Sequence, residues 1–185
     1  MAGLRDFGEN YVQEFQEKRP QLQHLAEARF HLIGHLQSNK AKAACELFDI
    51  VQTVDSSKLL RRLDSSAGEC NRNMEVLLEV KLSDEESKTG ADPAEIPDLL
   101  DAAAGCDRLS VTGLMMVPPW SEDPETPRPY FRELAKLASQ YKLPELSMGM
   151  SNDFETAIEE GATIIRVGTA IFGKRPPVTK VLLSP

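Results

Sequence analysis

Short apolar runs of strand length recur along this sequence, and stretches with the period of amphipathic helices separate them. The strand candidates lie at 4–10, 29–35, 49–54, 74–81, 109–116, 144–146 and 164–167. Helix candidates lie at 11–18, 38–47, 57–66, 94–104, 128–141 and 153–160, with Pro, Gly or Ser at many of their ends. This alternation predicts one α/β domain whose strands are parallel, since right-handed crossovers connect parallel neighbours.

The segment 147–173 contains two turns that are rich in small residues. The first, 147–151, follows a strand candidate, and Ser151 is placed to cap the next helix. The second turn, which includes Gly168 and Thr169, follows an apolar strand that carries one charged residue, Arg166. Hydroxyls and unpaired N–H groups from two adjacent turns bind anions, so a phosphate is the natural ligand.

The loops distinguish a closed barrel from an open doubly wound sheet. Polar or glycine-containing segments follow nearly every strand candidate, at 8–10, 35–37, 55–56, 83–84, 118–119, 148–149 and 168–169. A (β/α)8 barrel builds its site from all such loops and binds phosphate after its last strands, whereas an open sheet uses one switch point. The barrel is therefore favoured, although it needs eight strands and roughly 200 residues or more. This chain offers seven strand candidates in 185 residues.

Composition narrows the classes of partner. A net charge of −8 disfavours nucleic acid and anionic membranes as partners. No apolar run approaches the ~18 to 20 residues of a membrane span, and no stretch has the pattern of a signal peptide. Cys45, Cys70 and Cys106 have neither disulfide nor metal spacing. We expect a cytoplasmic protein with reduced thiols and no metal site.

Five motifs run in order along nearly the whole chain. They are FGENYVQE at 7–14, HLIGHLQSNK at 31–40, EESKTG at 85–90, GLMM at 113–116 with Pro118, and the segment 147–173. Together they closely resemble the pyridoxal phosphate homeostasis protein family, the single-domain relatives of the alanine racemase barrel. A single glycine motif would not justify this assignment. Five motifs in the family's order make it highly specific.

The resemblance implies a single barrel domain over 1–185, of the alanine racemase type and of fold type III among proteins that bind pyridoxal 5′-phosphate (PLP). It also implies a non-catalytic protein that binds PLP in vitamin B6 and amino-acid homeostasis. By position in the motifs, Ser151, Gly168 and Thr169 would hold the phosphate, Arg166 would face the pyridine nitrogen, and Asn10 and His35 would lie in loops near the ring.

Arg166 has a physical interpretation in that place. A guanidinium beside the ring nitrogen lowers the pKa of that nitrogen, because a nearby like charge disfavours its protonated form. An unprotonated ring is a weaker electron sink, which suits a protein that holds PLP without using it for catalysis. The alternative is that Arg166 pairs with a carboxylate at the rim of the barrel.

In the family, the lysine that binds PLP covalently lies on the first strand, upstream of the motif at 7–14. Residues 1–6 match the end of the family's first helix, so the resemblance implies that the first strand and its lysine are missing from this chain. We therefore expect PLP to bind non-covalently, or phosphate or sulfate to take its place. Lys40 and Lys88 lie near the same face, and we interpret both as solvated or anion-pairing side chains.

A missing strand would leave two unpaired edges and a slot in the barrel wall. Three outcomes follow: an open barrel, an oligomer in which a partner chain covers the slot although the family is monomeric, or an N-terminal segment outside this sequence. The last is favoured.

Two other functions stay open. One is a PLP-dependent amino-acid racemase, which needs a lysine and a second acid or base on the opposite face of the ring. The other is an inactive truncated form that binds no PLP. The acidic residues at 84–86 are interpreted as solvated. We expect PLP as the small-molecule partner and no enzymatic activity.

Overall fold

A computed structural model describes residues 3–83 and 89–173, and within them a single parallel sheet forms a nearly closed barrel. Its strands are β1 (Asp6–Glu9), β2 (Arg29–Leu32), β3 (Ile50–Val54), β4 (Met74–Glu79), β5 (Leu109–Met115), β6 (Glu145–Met150) and β7 (Ile164–Arg166). They pair in chain order, each with the strand before it. This order has no reversal, so the doubly wound alternative is wrong and the barrel is confirmed.

Helices connect the strands, as the alternation predicts. They are α1 (Val12–Lys18), α2 (Ala41–Leu47), α3 (Ser57–Glu69), α4 (Ile96–Ala104), α5 (Arg128–Tyr141), α6 (Phe154–Glu159) and α7 (Thr169–Phe172). Short 3-10 turns at Arg19–Leu22, Ser38–Lys40 and Pro93–Glu95 extend the first, second and fourth connections. None of the helices in the described residues is long and apolar enough to cross a membrane.

The main hydrophobic core lies between the outer face of the sheet and the helices. Phe15 of α1 packs between Phe30 of β2 and Phe48 after α2, with ring centroids 4.8 Å apart in both pairs. All three rings are buried. Stripes of leucine on α3 do the same further along the sheet, which is the usual way that amphipathic helices cover a parallel sheet.

A second, smaller core occupies the inside of the barrel. It consists of Ile50, Leu77 and Met115, against which Val117 and Ile164 pack. The cluster is too small to fill the interior, and buried polar side chains from β2, β3, β4 and β6 occupy neighbouring positions. Inward-facing side chains pack the interior of such a barrel, so these polar residues form part of the packing beneath the loops at its C-terminal end.

One element differs from the sequence-based prediction. The turn predicted at 147–151 is wrong, because β6 continues as a strand through Met150. Ser147 and Met148 are both fully buried, and they point to opposite faces of the sheet, as alternation in a strand requires. Small residues therefore mark an inward face here, and the turn begins only at Ser151.

Candidate functional site

The loops after β6 and β7 meet at the C-terminal end of the barrel. Ser151 Oγ accepts hydrogen bonds from the backbone N–H groups of Gly168 and Ala170, both at 3.2 Å. Thr169 lies between these two donors and begins α7, with its side chain exposed. The loops after β6 and β7 are thus in direct contact through a hydroxyl and two backbone donors.

The role predicted for Ser151 as the cap of the following helix is wrong. Helix α6 begins at Phe154, and Asp153 occupies the N-cap position. The Asp153 carboxylate accepts the N–H of Met150 at 2.6 Å and is buried, so it orders this turn. A charged acceptor already serves the turn, and the Ser151 hydroxyl contacts the neighbouring loop instead.

Arg166, the last residue of β7, lies directly below these loops. Its Nη1 donates to Ser147 Oγ and its Nη2 donates to the carbonyl oxygen of Met116, both at 2.7 Å. Burial lowers the pKa of the guanidinium to about 10, while the carboxylates of Asp153 and Glu79 act in the opposite direction. Arg166 is therefore protonated at pH 7, and two neutral oxygens fix its orientation.

Glu79 ends β4 on the inside of the barrel and is only 4% exposed. Its Oε1 accepts from the Thr89 hydroxyl at 2.7 Å, whereas its Oε2 has no partner in the described residues. Burial raises the pKa of this carboxyl, Thr89 opposes the shift, and Asp55 adds to it. Glu79 is not among the residues predicted from the sequence, although its spacing from Glu75 places both on one face of the strand.

Asn10 and His35 lie in adjacent loops at the same end of the barrel, after β1 and β2. The loops touch at Gly34, where an added Cβ would overlap the backbone oxygen of Asn10. Asn10 is partly buried and His35 is exposed. The positive charge of a protonated His35 would lower the pKa of Glu79, so His35 and Glu79 lie at the same mouth.

Of the lysine and acidic candidates, Lys40 lies within the described residues. Lys40 is partly buried at the end of a 3-10 turn that precedes α2. Lys88 and the acidic residues at 84–86 lie outside the described residues. No group of three or more His, Cys, Asp or Glu side chains in the described ranges is arranged to hold a metal ion.

The nearly closed parallel barrel, with a hydroxyl, two backbone donors and a partly buried arginine at its C-terminal end, agrees with the alanine racemase N-terminal domain class. Residues 1–176 match the sequence pattern of the family described as alanine racemase, N-terminal domain. At the level of close relatives, the chain belongs to the pyridoxal phosphate homeostasis protein family. The member from Aquifex aeolicus is 42% identical over 180 residues, which cover 94% of this chain and 78% of the relative.

Solved structures agree with this placement. PipY from Synechococcus elongatus PCC7942 is 42% identical and has been solved without and with PLP bound. The comparison covers 93% of this chain and 83% of PipY in both cases. The TM-score is 0.86 for the form without PLP and 0.84 for the form with PLP.

Proposed function

We propose that this protein is a non-catalytic PLP-binding protein of vitamin B6 and amino-acid homeostasis, and that it holds PLP without a covalent bond to this chain. The observation that carries the proposal is the convergence of Ser151 Oγ with two backbone N–H groups beside Arg166. PipY, which has PLP bound in one of its structures, and the relatives named for PLP homeostasis support it.

The loops after β6 and β7 supply the phosphate half of the proposed site. The N–H groups of Gly168 and Ala170 already converge on one oxygen, that of Ser151. A phosphate oxygen next to that hydroxyl accepts from the same N–H groups, and the Ser151 O–H turns to donate to it. Thr169 adds a second hydroxyl, and the space above Gly168 is open, with no atom within 4 Å of an added Cβ.

Arg166 supplies the ring half of the site. When PLP is bound, its pyridinium ring is an electron sink for amino-acid chemistry. The Arg166 guanidinium, held between Ser147 and Met116, places a positive charge where the ring nitrogen would lie. That charge lowers the pKa of the nitrogen and keeps the ring in its weaker electron-withdrawing state, so this chain binds and protects the cofactor without activating it.

Glu79, Asn10 and His35 complete the mouth of the site. The partly buried Asn10 and the exposed His35 stand on adjoining loops, and we assign them contacts with the edge of the ring. Glu79 is a buried carboxyl whose pKa is raised and whose Oε2 lacks a partner in the described residues. In its protonated state it donates a hydrogen bond towards the ligand.

The test is titration of the protein with PLP, followed by absorbance and protein fluorescence. Ser151→Ala removes a hydroxyl that contacts a charged phosphate, so the Kd is expected to rise about tenfold or more. Ser139→Ala, at an exposed position near the C-terminal end of α5, is the matched control and leaves the Kd unchanged. Failure of the unaltered protein to bind PLP would overturn the proposal and favour an inactive form.

A further inference from the structure

A continuous chain of hydrogen bonds crosses the interior of the barrel from β7 to β1. Arg166 Nη1 donates to Ser147 Oγ at 2.7 Å, and the Ser147 hydroxyl donates to Gln52 Oε1 at 2.6 Å. Gln52 Nε2 lies 2.8 Å from His31 Nδ1, and His31 Nε2 lies 3.0 Å from a carboxylate oxygen of Asp6. Three side chains, those of Ser147, Gln52 and His31, therefore link a guanidinium to a carboxylate.

The three central members of this chain are buried. Ser147 is 0% exposed, Gln52 is 1% exposed and His31 is 5% exposed. Ser147 belongs to β6 and Gln52 to β3, two strands that are not neighbours in the sheet, so their hydrogen bond passes through the barrel interior. This series of hydrogen bonds thus connects the candidate site at β7 with side chains on the far side of the barrel.

The donor and acceptor inventory fixes the order of the protons. Ser147 Oγ accepts from Arg166, so its only O–H is donated to the Oε1 atom of Gln52. The Gln52 amide then presents its NH2 to His31 Nδ1, which must carry a lone pair and no proton. The imidazole proton is consequently on Nε2, where it is donated to the Asp6 carboxylate.

All four hydrogen bonds run in the same direction, from the cation to the anion. Bonds aligned in this way polarise one another and are strengthened in a low-dielectric interior. The arrangement also makes Ser147 a good acceptor for Arg166, because its hydroxyl hydrogen is held on the side away from the guanidinium. Without Gln52, that hydrogen can rotate, and Arg166 competes with other groups for the Ser147 lone pairs.

We propose that Gln52 and His31 are positioning residues for the cofactor site, which hold Arg166 opposite the ring nitrogen through Ser147. The inference rests on the proposed function for the identity of the ligand. It assigns a role to His31 of β2 and Gln52 of β3, neither of which is placed in contact with the ligand. Met116 supplies the other fixed point for the guanidinium through its carbonyl oxygen. Breaking the series of hydrogen bonds therefore loosens the contact of Arg166 with Ser147 and leaves its contact with Met116 in place.

The first experiment uses the ligand-free protein, so it does not depend on PLP binding. Nitrogen NMR of the imidazole rings, with His31→Gln for assignment, is expected to find His31 protonated at Nε2 and unprotonated at Nδ1. In Gln52→Glu, a carboxylate accepts from both neighbours, so His31 is expected to carry a proton on each nitrogen at pH 7. An Nδ1–H tautomer in the unaltered protein would overturn the proposed proton order.

The Nε–H resonance of Arg166 in the same ligand-free samples reports its orientation. It is expected to shift or broaden in Gln52→Leu, which can neither accept from Ser147 nor donate to His31. Ser66→Ala is the matched control, since Ser66 is also a fully buried serine, on α3, and its Oγ has no partner in the described residues. An Arg166 signal that is unchanged in Gln52→Leu contradicts a positioning role.

The second experiment measures PLP affinity. Gln52→Leu and Ser147→Ala are each expected to raise the Kd about tenfold, because one fixed point of a charged group is lost. Gln52→Glu restores much of the affinity, since its carboxylate still accepts from Ser147, and Ser66→Ala has no effect. A Kd within twofold of the unaltered protein in both folded variants would overturn the inference. Absence of PLP binding in every sample would instead remove the proposed function, and the NMR results would still decide the proton order.

Discussion

Several polar side chains inside the barrel are almost completely buried. Glu79, Gln52 and Ser147 are almost completely buried, yet each follows or precedes apolar neighbours in its strand. Burying such groups costs free energy unless they are hydrogen-bonded. Gln52 and Ser147 satisfy each other, whereas one oxygen of Glu79 remains without a partner in the described residues.

Glu79 makes the stability of the protein depend on pH. Its folded-state pKa is raised by burial, so the unfolded chain releases this proton first as pH rises. The native state then binds more protons than the unfolded state, and the free energy of unfolding falls through the carboxyl range and above it. Glu79→Gln is expected to stabilise the protein by about 1 kcal/mol at pH 7, the lower end of the cost of an unpaired buried group.

Urea unfolding at pH 7 and near pH 4 checks this prediction. The gain from Glu79→Gln should shrink at the lower pH, because protonation of the unaltered carboxyl removes the cost of burying its charge. Glu75→Gln is the control on the same strand, because Glu75 is half-exposed and pairs with Arg29. An equal effect of the two substitutions, or a gain that grows towards low pH, would contradict the account given for Glu79.

The sequence indicated the loop residues of the candidate site better than the interior ones. Ser151, Gly168 and Arg166 could be predicted because each ends or follows a strand candidate, and strand ends of a parallel barrel share one face. The partnership of Gln52 with Ser147 could not, because it spans 95 positions and two non-adjacent strands. It depends on which side chains face inward and at what height, and both are set by strand register and barrel closure.

At the scale of single elements, the end of β6 shows why small residues can predict a turn where a strand forms. Gly149 has a φ of +89°, which favours glycine, and an added Cβ would lie 2.5 Å from the Cβ of Ala157 on α6. The glycine is therefore needed for close packing of strand and helix, and not for a turn. Serine and glycine signal turns only on average, and here alternation of buried side chains overrides that signal.

Gly149→Ala should therefore destabilise the protein and disturb the site. A left-handed φ costs a residue with a Cβ about 1 to 2 kcal/mol, and the contact with Ala157 adds to that cost. Ser151 lies two residues further on, so its alignment with Gly168 should loosen and PLP affinity should fall. Thermal unfolding and PLP titration measure the two effects.

Gly68→Ala provides a control of opposite sign. Gly68 lies in α3 without a positive φ, and no atom lies within 4 Å of an added Cβ. Alanine there should raise stability by about 0.5 to 1 kcal/mol through helix propensity, with no change in PLP affinity. A Gly149→Ala protein as stable as the unaltered one would show that β6 and α6 can separate without cost.

At the scale of the whole molecule, alternation predicted the number of strands and the loops that follow them predicted the barrel, but neither indicated which side chains meet inside it. Each strand candidate corresponds to one strand of the barrel, with ends shifted by a few residues. In the described residues β1 pairs only with β2, and β7 pairs only with β6. The hydrogen-bonded chain from Arg166 to Asp6 joins these two ends of the sheet through the interior, which side-chain periodicity alone cannot indicate.

The surroundings of the lysines bear on the proposed non-covalent binding of PLP. A lysine attacks an aldehyde only as the neutral amine, and active-site lysines are made reactive by desolvation or by neighbouring cations. Two lysines in the described residues lie beside carboxylates, which favour the charged form of an amine. Lys18 pairs with Glu9. Lys42 pairs with Glu69, which raises the pKa of Lys42. Lys40, which is partly buried at the end of its 3-10 turn, stays a predicted solvated or anion-pairing side chain.

Reduction of the PLP-saturated protein with borohydride is therefore expected to give no adduct that is specific to one lysine. Borohydride fixes PLP to any lysine that has condensed with it, and the adduct is visible by mass spectrometry and peptide mapping. Inorganic phosphate in excess is the control, because it competes for the loops around Ser151 but does not prevent random labelling of exposed amines. An adduct on a single lysine that phosphate suppresses would contradict non-covalent binding. Formation of D-alanine from L-alanine and PLP in the same samples would further favour a racemase, which needs such a lysine.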